Sequence, residues 1–288
     1  VRRLGIDIGG TKTLCVVVDD SFGPSSVTDE RRVPTDPQGD AASAIVDLVR
    51  TFDDIASVGI GIAGLVTRDG SVAVTTHLPG VRDLPLGQRL SSALGIPVAI
   101  ESDATCAAIA EWKIGAAVGY DDVLMVTLGT GIGGGAIVDG RPARGHNGFA
   151  GEFGHMVVQR GGLECPCGRR GCWESYASGG GLSRLAGGLR AESVMEAFDA
   201  GDPGAVAVVD EFVDWVVLGL YNLVHIHDPA CIVVGGGLGS RPEIIDLVTR
   251  RFADGPTGHA GRAMPRIVAA SLGERSGAIG AAIIGAGY

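Results

Sequence analysis

At 288 residues the chain has room for one large or two moderate domains with a full hydrophobic core. Its 33 acidic against 23 basic side chains give a net charge of −10, which disfavours a polyanionic partner such as nucleic acid and leaves any phosphate recognition to local backbone amides. Glycine supplies 48 residues without a collagen-like period, so it marks turns at strand ends; the longest uncharged apolar run, Val123 to Val138, carries five glycines and is too short to span a membrane. Asp7 interrupts the apolar stretch after Arg2 and Arg3, so no signal peptide is expected, and a cytoplasmic, reducing setting follows.

In chain order, Leu4 to Ile8 and Thr13 to Asp19 read as strands joined by the turn Gly9-Gly10-Thr11-Lys12. Helical patterns cover Ala41 to Phe52 and Leu86 to Leu94, with strands at Val58 to Ala63 and Pro97 to Ile100. Asp103 opens a compact helical run, Ala104 to Ile114, ahead of a strand at Val123 to Leu128. The longest helix is expected from about Ala205 to Ile226, ended by Asp228-Pro229, after which a strand at Cys231 to Val234 enters Gly235-Gly236-Gly237. A helix of small residues closes the sequence from Gly277 to Gly287. Such alternation predicts an α/β architecture.

An internal echo sharpens that expectation. Asp7-Ile-Gly-Gly-Thr11 through Val18-Asp19 aligns, 120 positions on, with Thr127-Leu-Gly-Thr-Gly131 through Val138-Asp139. Either turn alone reads as an ordinary hairpin. Repeated, they read as a phosphate clamp, with glycine amides approaching closely and Thr11 and Thr130 adding hydroxyls. Gly59-x-Gly61-x-x-Gly64 and Gly129-x-Gly131-x-x-Gly134 match the dinucleotide fingerprint, yet both run into hairpins instead of a helix, which argues against a dehydrogenase. There is no Walker A sequence, since Gly10-Thr11-Lys12-Thr13 lacks the long glycine loop.

The chemistry concentrates between Gly151 and Tyr176. His155, Cys165, Cys167 and Cys172 form the Cys3His set of a structural zinc site, and Glu152 and Glu174 flank it. Cysteines are often just buried thiols, but Cys165 and Cys167 sit in a polar turn with Gly168, Arg169, Arg170 and Gly171, whereas Cys15, Cys106 and Cys231 lie in apolar runs and read as core. Polyhydroxylated ligands need rigid acceptors, and metal-pinned loops supply rigidity. His225 and His227 are two apart on a helix, so they point to different sides; they are expected to finish the helix C-terminus as imidazolium. Asp103, directly before its helix, reads as an N-cap on the residues alone, and Asp7 as a turn former.

These motifs resemble the ROK sugar kinases, bacterial members of the actin and hexokinase-like superfamily, over nearly the whole chain. Asp7-Ile-Gly9-Gly10-Thr11-Lys12 looks like the first phosphate loop, Leu128-Gly-Thr130-Gly131-Ile-Gly-Gly134 the second, and Gly235-Gly236-Gly237 the turn near adenosine. Cys172-Trp-Glu-Ser-Tyr-Ala-Ser178 is most similar to the glucokinase branch. The resemblance implies a two-lobed, ribonuclease H-like fold with a duplicated hairpin core and a cleft between lobes: residues 1–104 plus 275–288 as the small lobe, 105–274 as the large lobe carrying zinc. It implies ATP-dependent phosphorylation of a hexose 6-hydroxyl, glucose before N-acetylhexosamine, fructose or mannose, by a homodimer or homotetramer. Asp103 would be the base, Asp7 would orient magnesium through water, and Gly64, Ser102, Asp103, Glu152, His155 and Glu174 would hold the sugar. Polyphosphate is an alternative donor. A catalytically quiet sugar sensor is the other reading, against which both aspartates speak. Ser102 departs from the pattern, because most members place asparagine there.

Overall fold

The computed structural model describes residues 1–20, 26–35, 40–75, 78, 81–255 and 261–287. The chain opens with β1 (Arg2–Ile8), β2 (Lys12–Val18), β3 (Val27–Pro34), α1 (Ala41–Val49) and β4 (Ile55–Ile62). A small antiparallel sheet follows, β5 (Gly64–Val66), β6 (Val72–Thr75) and β7 (Arg82–Leu84), then α2 (Leu86–Leu94), β8 (Val98–Ser102) and α3 (Asp103–Ile114). The middle of the chain holds β9 (Val123–Leu128), β10 (Ile132–Val138), β11 (Arg141–Pro142), a 3-10 turn at Phe153–His155, α4 (Glu174–Ala177), α5 (Gly179–Leu185) and α6 (Ala191–Asp199). It continues through α7 (Pro203–His227), β12 (Cys231–Gly235), α8 (Gly236–Gly239), α9 (Pro242–Asp254), β13 (Arg266–Ala269) and α10 (Ser276–Gly285).

The duplication expected from the two hairpins extends to whole sheets. One sheet has the order β3-β2-β1-β4-β8 and the other β11-β10-β9-β12-β13, the same arrangement twice. In the first, β1 pairs antiparallel with β2 and parallel with β4, which pairs parallel with β8. In the second, β12 lies parallel to both β9 and β13.

The chain divides into two compact units, Val1–Asp121 with Gly135–Gly151 and Ser271–Tyr288, and Asp122–Gly134 with Glu152–Ala270. In the first, the period-2 alternation of β1 sends Leu4, Ile6 and Ile8 into a core with Ile45, Val46 and Val49 of α1 and Leu86 and Leu90 of α2. The opposite face carries Gly5 and Asp7 and receives α10. A Cβ on Gly5 would lie 1.8 Å from the Ala278 carbonyl oxygen, and one on Gly59 would lie 1.6 Å from that of Ala281, so only glycine lets this helix settle directly on the strands. The same helix packs against α3, which keeps the sequence after Asp103 with the first unit as far as Asp121.

The second unit is centred on α7, whose start and stop follow its sequence. Asp202 caps it by accepting from Ala205 N at 2.9 Å, Pro203 occupies the first turn, and Asp228 leaves the helix in the left-handed region (φ 47°) ahead of Pro229. The buried stripe Val209, Phe212, Val213, Val216, Leu220 and Leu223 recurs at helical spacing. Tyr221 stacks on Phe252 of α9 with ring centroids 4.8 Å apart.

Candidate functional site

In the first unit, the hairpin turn after β1 is tied down on both sides. Gly9 N donates to Lys12 O at 3.1 Å, Thr35 N donates to Thr11 O at 3.1 Å, and the Thr35 hydroxyl donates to Gly9 O at 2.9 Å. Gly10, Thr11 and Lys12 are exposed, so the turn presents its backbone in a fixed shape. Lys12 reaches Glu274 at 2.9 Å in an exposed ion pair, which holds it only loosely. Thr35 escapes a sequence reading because the turn residues it holds, Thr11 and Gly9, lie 24 and 26 residues upstream; a threonine just past a strand has no signature.

Asp7 sits at the carboxyl end of β1, in register with Gly61 of β4, which is in register with Glu101 of β8. The bare face of Gly61 is where two acids meet: a Cβ there would lie 3.7 Å from Asp7 Oδ1 and 3.5 Å from Asp103 Cα. Burial first, and then the Asp103 charge, push the Asp7 carboxyl from its ordinary 3.8 up to about 7, with Lys12 pulling the other way. Paired carboxylates at the ends of parallel strands are a common place for chemistry. A raised carboxylate means that the folded chain binds more protons than the unfolded one from about pH 4 to about pH 7, so this acid costs stability progressively as pH rises through that window. Asp7→Asn is therefore expected to raise the melting temperature by roughly 3 °C or more at pH 8 and much less at pH 5; equal shifts at both pH values in thermal unfolding would contradict the assignment.

The capping role expected for Asp103 belongs to Ser102. Its hydroxyl oxygen accepts from Thr105 N at 3.2 Å and pairs with Thr105 Oγ1 at 2.9 Å, while Asp103 occupies the first helical turn with Oδ1 accepting from Ala104 N at 2.8 Å. Behind them Glu101 is buried, accepts from Ser102 N at 2.9 Å and meets Arg144 at 2.5 Å. Burial raises the Glu101 carboxyl and Arg144 opposes that rise. Arg144 was not foreseen, since nothing local marks it. Gly64 begins β5, opposite Thr75.

In the second unit, Gly129, Thr130 and Gly131 turn between β9 and β10, with Gly129 N donating to Gly131 O at 3.0 Å and Gly133 N to the Thr127 hydroxyl at 3.1 Å. Gly236 and Gly237 turn at the end of the neighbouring strand β12, where Gly235 registers with Thr127. Both glycine turns thus lie at the carboxyl ends of adjacent parallel strands. Thr130 and Gly237 are exposed, and Gly236, at φ 81°, lies against the Leu128 backbone.

The four expected metal ligands come together. One donor atom from each of His155, Cys165, Cys167 and Cys172 lies within 4.8 Å of the others. His155 Nδ1 is 3.6 Å from Cys165 Sγ, and Cys167 Sγ is 3.6 Å from Cys172 Sγ. A tetrahedron with zinc–sulfur bonds of about 2.3 Å has edges of about 3.8 Å, so the donor set fits zinc. The segment is rigid for local reasons: Cys165 N donates to Arg169 O, Gly168 N to Cys165 O and Trp173 N to Met156 O. Trp173, fully buried, donates from Nε1 to Trp215 O at 2.7 Å on α7. His155 turns Nε2 toward Glu152 Oε2 at 3.7 Å, leaving Nδ1 on the cysteine side. Arg170 pairs with Glu164 at 2.6 Å on the surface.

His227 departs from expectation. It is partly buried edge-on to Phe153, centroids 5.7 Å apart, and burial lowers its pKa, which disfavours the imidazolium expected at that helix end. His225 instead bonds the Tyr221 carbonyl at 2.7 Å. Among the described residues no helix is long and apolar enough to cross a membrane.

Comparison with known proteins gives this geometry its context. Residues 3–287 match the model of the ROK family. The chain is 36% identical to a glucokinase of Streptomyces coelicolor, covering 97% of this chain and 96% of that protein. It is 35% identical to an N-acetyl-D-glucosamine kinase of Pectobacterium atrosepticum, covering 97% of each. Among solved structures, a ROK family glucokinase of Streptomyces griseus in complex with glucose and AMPPNP superposes with a TM-score of 0.83 at 35% identity, over 99% of both chains.

Proposed function

Because the chain belongs to the ROK family and is a sugar kinase of the actin and hexokinase-like fold, we propose that it transfers the γ-phosphoryl group of ATP to the 6-hydroxyl of a hexose, glucose before others. The observation that carries this reading is the Asp7–Asp103 pair beside the exposed turn Gly10-Thr11. Phosphoryl transfer has a loose transition state, so the protein mainly positions and neutralises, and one carboxylate receives the attacking proton. Asp103 takes the proton of the hydroxyl as its oxygen bonds to phosphorus and the bond to ADP breaks. Asp7 would hold magnesium through water, an ion that supplies charge neutralisation on the phosphates. The turns Gly9 to Lys12, Thr130–Gly131 and Gly236–Gly237 offer amides and hydroxyls to the nucleotide. Glu152, His155 and Glu174 of the second unit would accept from or donate to sugar hydroxyls, and Gly64 and Ser102 are the sugar contacts read for the first unit. His155, Cys165, Cys167 and Cys172 would hold zinc, whose part is structural.

The likeness to N-acetylglucosamine kinases at 35% identity supports a second substrate reading. A coupled ADP-release assay over glucose, mannose, fructose and N-acetylhexosamines, with ATP and with polyphosphate, tests both. Glucose giving the highest kcat/KM with ATP is the expected result. N-acetylglucosamine ahead of glucose would move the assignment to the second reading. Sugar binding without turnover would mark a sensor.

Ser102 provides a sharper test of the sugar subsite. Its hydroxyl is engaged with Thr105, so a ring hydroxyl finds little free bonding capacity there. Asparagine caps a helix about as well and carries an additional amide donor. Ser102→Asn is expected to lower the KM for glucose by about 2- to 10-fold with kcat little changed, the worth of one neutral hydrogen bond. Loss of glucose phosphorylation in that variant would mean the pocket is shaped for another sugar.

A further inference from the structure

Glu174 stands between two structures that the functional reading treats separately. Its Oε1 faces the metal cluster, 3.6 Å from Cys165 Sγ and 3.9 Å from His155 Nδ1. Its Oε2 accepts a hydrogen bond from Ile132 N at 3.0 Å, at the end of the turn Gly129–Gly131. The approach is close enough to dictate sequence: a Cβ on Gly131 would lie 2.2 Å from that oxygen. The rest of the turn leans on the same stretch of chain, since Gly179 N donates to Gly129 O at 2.7 Å and Gly180 N to Thr130 O at 3.3 Å, both just downstream of Glu174. Glu174 itself follows Cys172 and Trp173, and the Ser178 hydroxyl, which caps α5, donates to its carbonyl at 2.7 Å.

We propose that Glu174 is a positioning residue for the nucleotide, fixing the turn Gly129–Ile132 from the metal-ligand segment so that one carboxylate sets the triphosphate subsite as well as facing the sugar. The inference rests on the kinase reading in that it takes this turn to receive nucleotide phosphate. Physically, a charged acceptor holds a backbone amide more firmly than a neutral one, and a phosphate-binding turn works only when its remaining amides keep their direction. The segment that carries the cysteines therefore reaches ATP as well as sugar.

The test uses zinc-loaded full-length protein and an ATP analogue titrated without sugar. Glu174→Ala, with zinc content and circular dichroism as for the unmodified chain, is expected to bind the analogue about 10-fold more weakly, the scale of a lost charge-assisted hydrogen bond, and to exchange the Ile132 amide faster. Glu174→Gln keeps an acceptor oxygen and is expected to stay within about 3-fold, although its sugar affinity falls, because the amide bonds ring hydroxyls less strongly. Unchanged nucleotide affinity and Ile132 exchange in Glu174→Ala would overturn the proposal, and so would Glu174→Gln falling as far as Glu174→Ala. A wild-type chain that binds no ATP analogue is a different failure, that of the kinase reading itself.

Discussion

Asp103→Asn is expected to reduce turnover by about 10²-fold or more while the protein folds and binds sugar normally. The structure removes the usual objection to such a variant. Helix α3 is capped by Ser102, whose hydroxyl accepts from Thr105 N, so the substitution leaves the cap intact. The bond from Ala104 N to Asp103 Oδ1 can be kept by an asparagine carbonyl. What disappears is a negative charge and a proton acceptor. A second reading comes with it: because the Asp103 charge is one of the causes that raise Asp7, the variant should titrate Asp7 at lower pH. Steady-state kcat, sugar binding by calorimetry and the pH at which Asp7 ionises check the three parts. Near-normal kcat would leave Asp103 as a helix residue only.

Cys167→Ser is the other large expected effect. Cys167 is the exposed member of the cluster, so its replacement disturbs little packing, yet a hydroxyl is a poor zinc ligand at neutral pH. Zinc content should drop from about one per chain to near zero after dialysis against a chelator, and sugar affinity should fall about 10-fold or more. The reason is geometric. His155 and Glu174 sit at the cluster, Cys165 and Cys172 are buried within it, and Glu152 lies 3.7 Å from His155, so loss of the metal frees the very loop that carries the expected sugar contacts. Elemental analysis of active wild-type protein that finds no zinc would defeat the prediction.

Much of this was legible in the sequence where local rules act. The β9 limits match the apolar run from Val123 to Leu128, α2 matches Leu86 to Leu94, and α7 begins and ends within two residues of its expected bounds because Asp202, Pro203 and Pro229 punctuate it. The Cys3His set was readable because ligand type and spacing are both local. Strand β3, with Asp29, Glu30, Arg31 and Arg32 along it, was not expected: it lies at the edge of its sheet, and charged edge strands lack an apolar signature. The pairing of Glu101 with Arg144, 43 positions apart, and the use of Thr35 to hold the first turn were hidden for a related reason, since tertiary hydrogen bonds leave no period in a sequence. Cap assignment failed at Ser102 and Asp103 because both residue types cap well, and only backbone geometry separates the cap from the first helical residue.

The seating of α10 on bare glycines of β1 and β4 has a consequence for how the chain is made. The unit that begins at Val1 is completed by residues from position 271 onward, so its first sheet waits for more than a hundred intervening residues before one face is covered. Contacts of such long sequence separation form slowly and leave apolar surface open to other chains in the meantime. The other unit shares the delay, since β9 gains its parallel neighbour β12 only from Cys231 onward, so both sheets are completed late and their apolar faces stay open together.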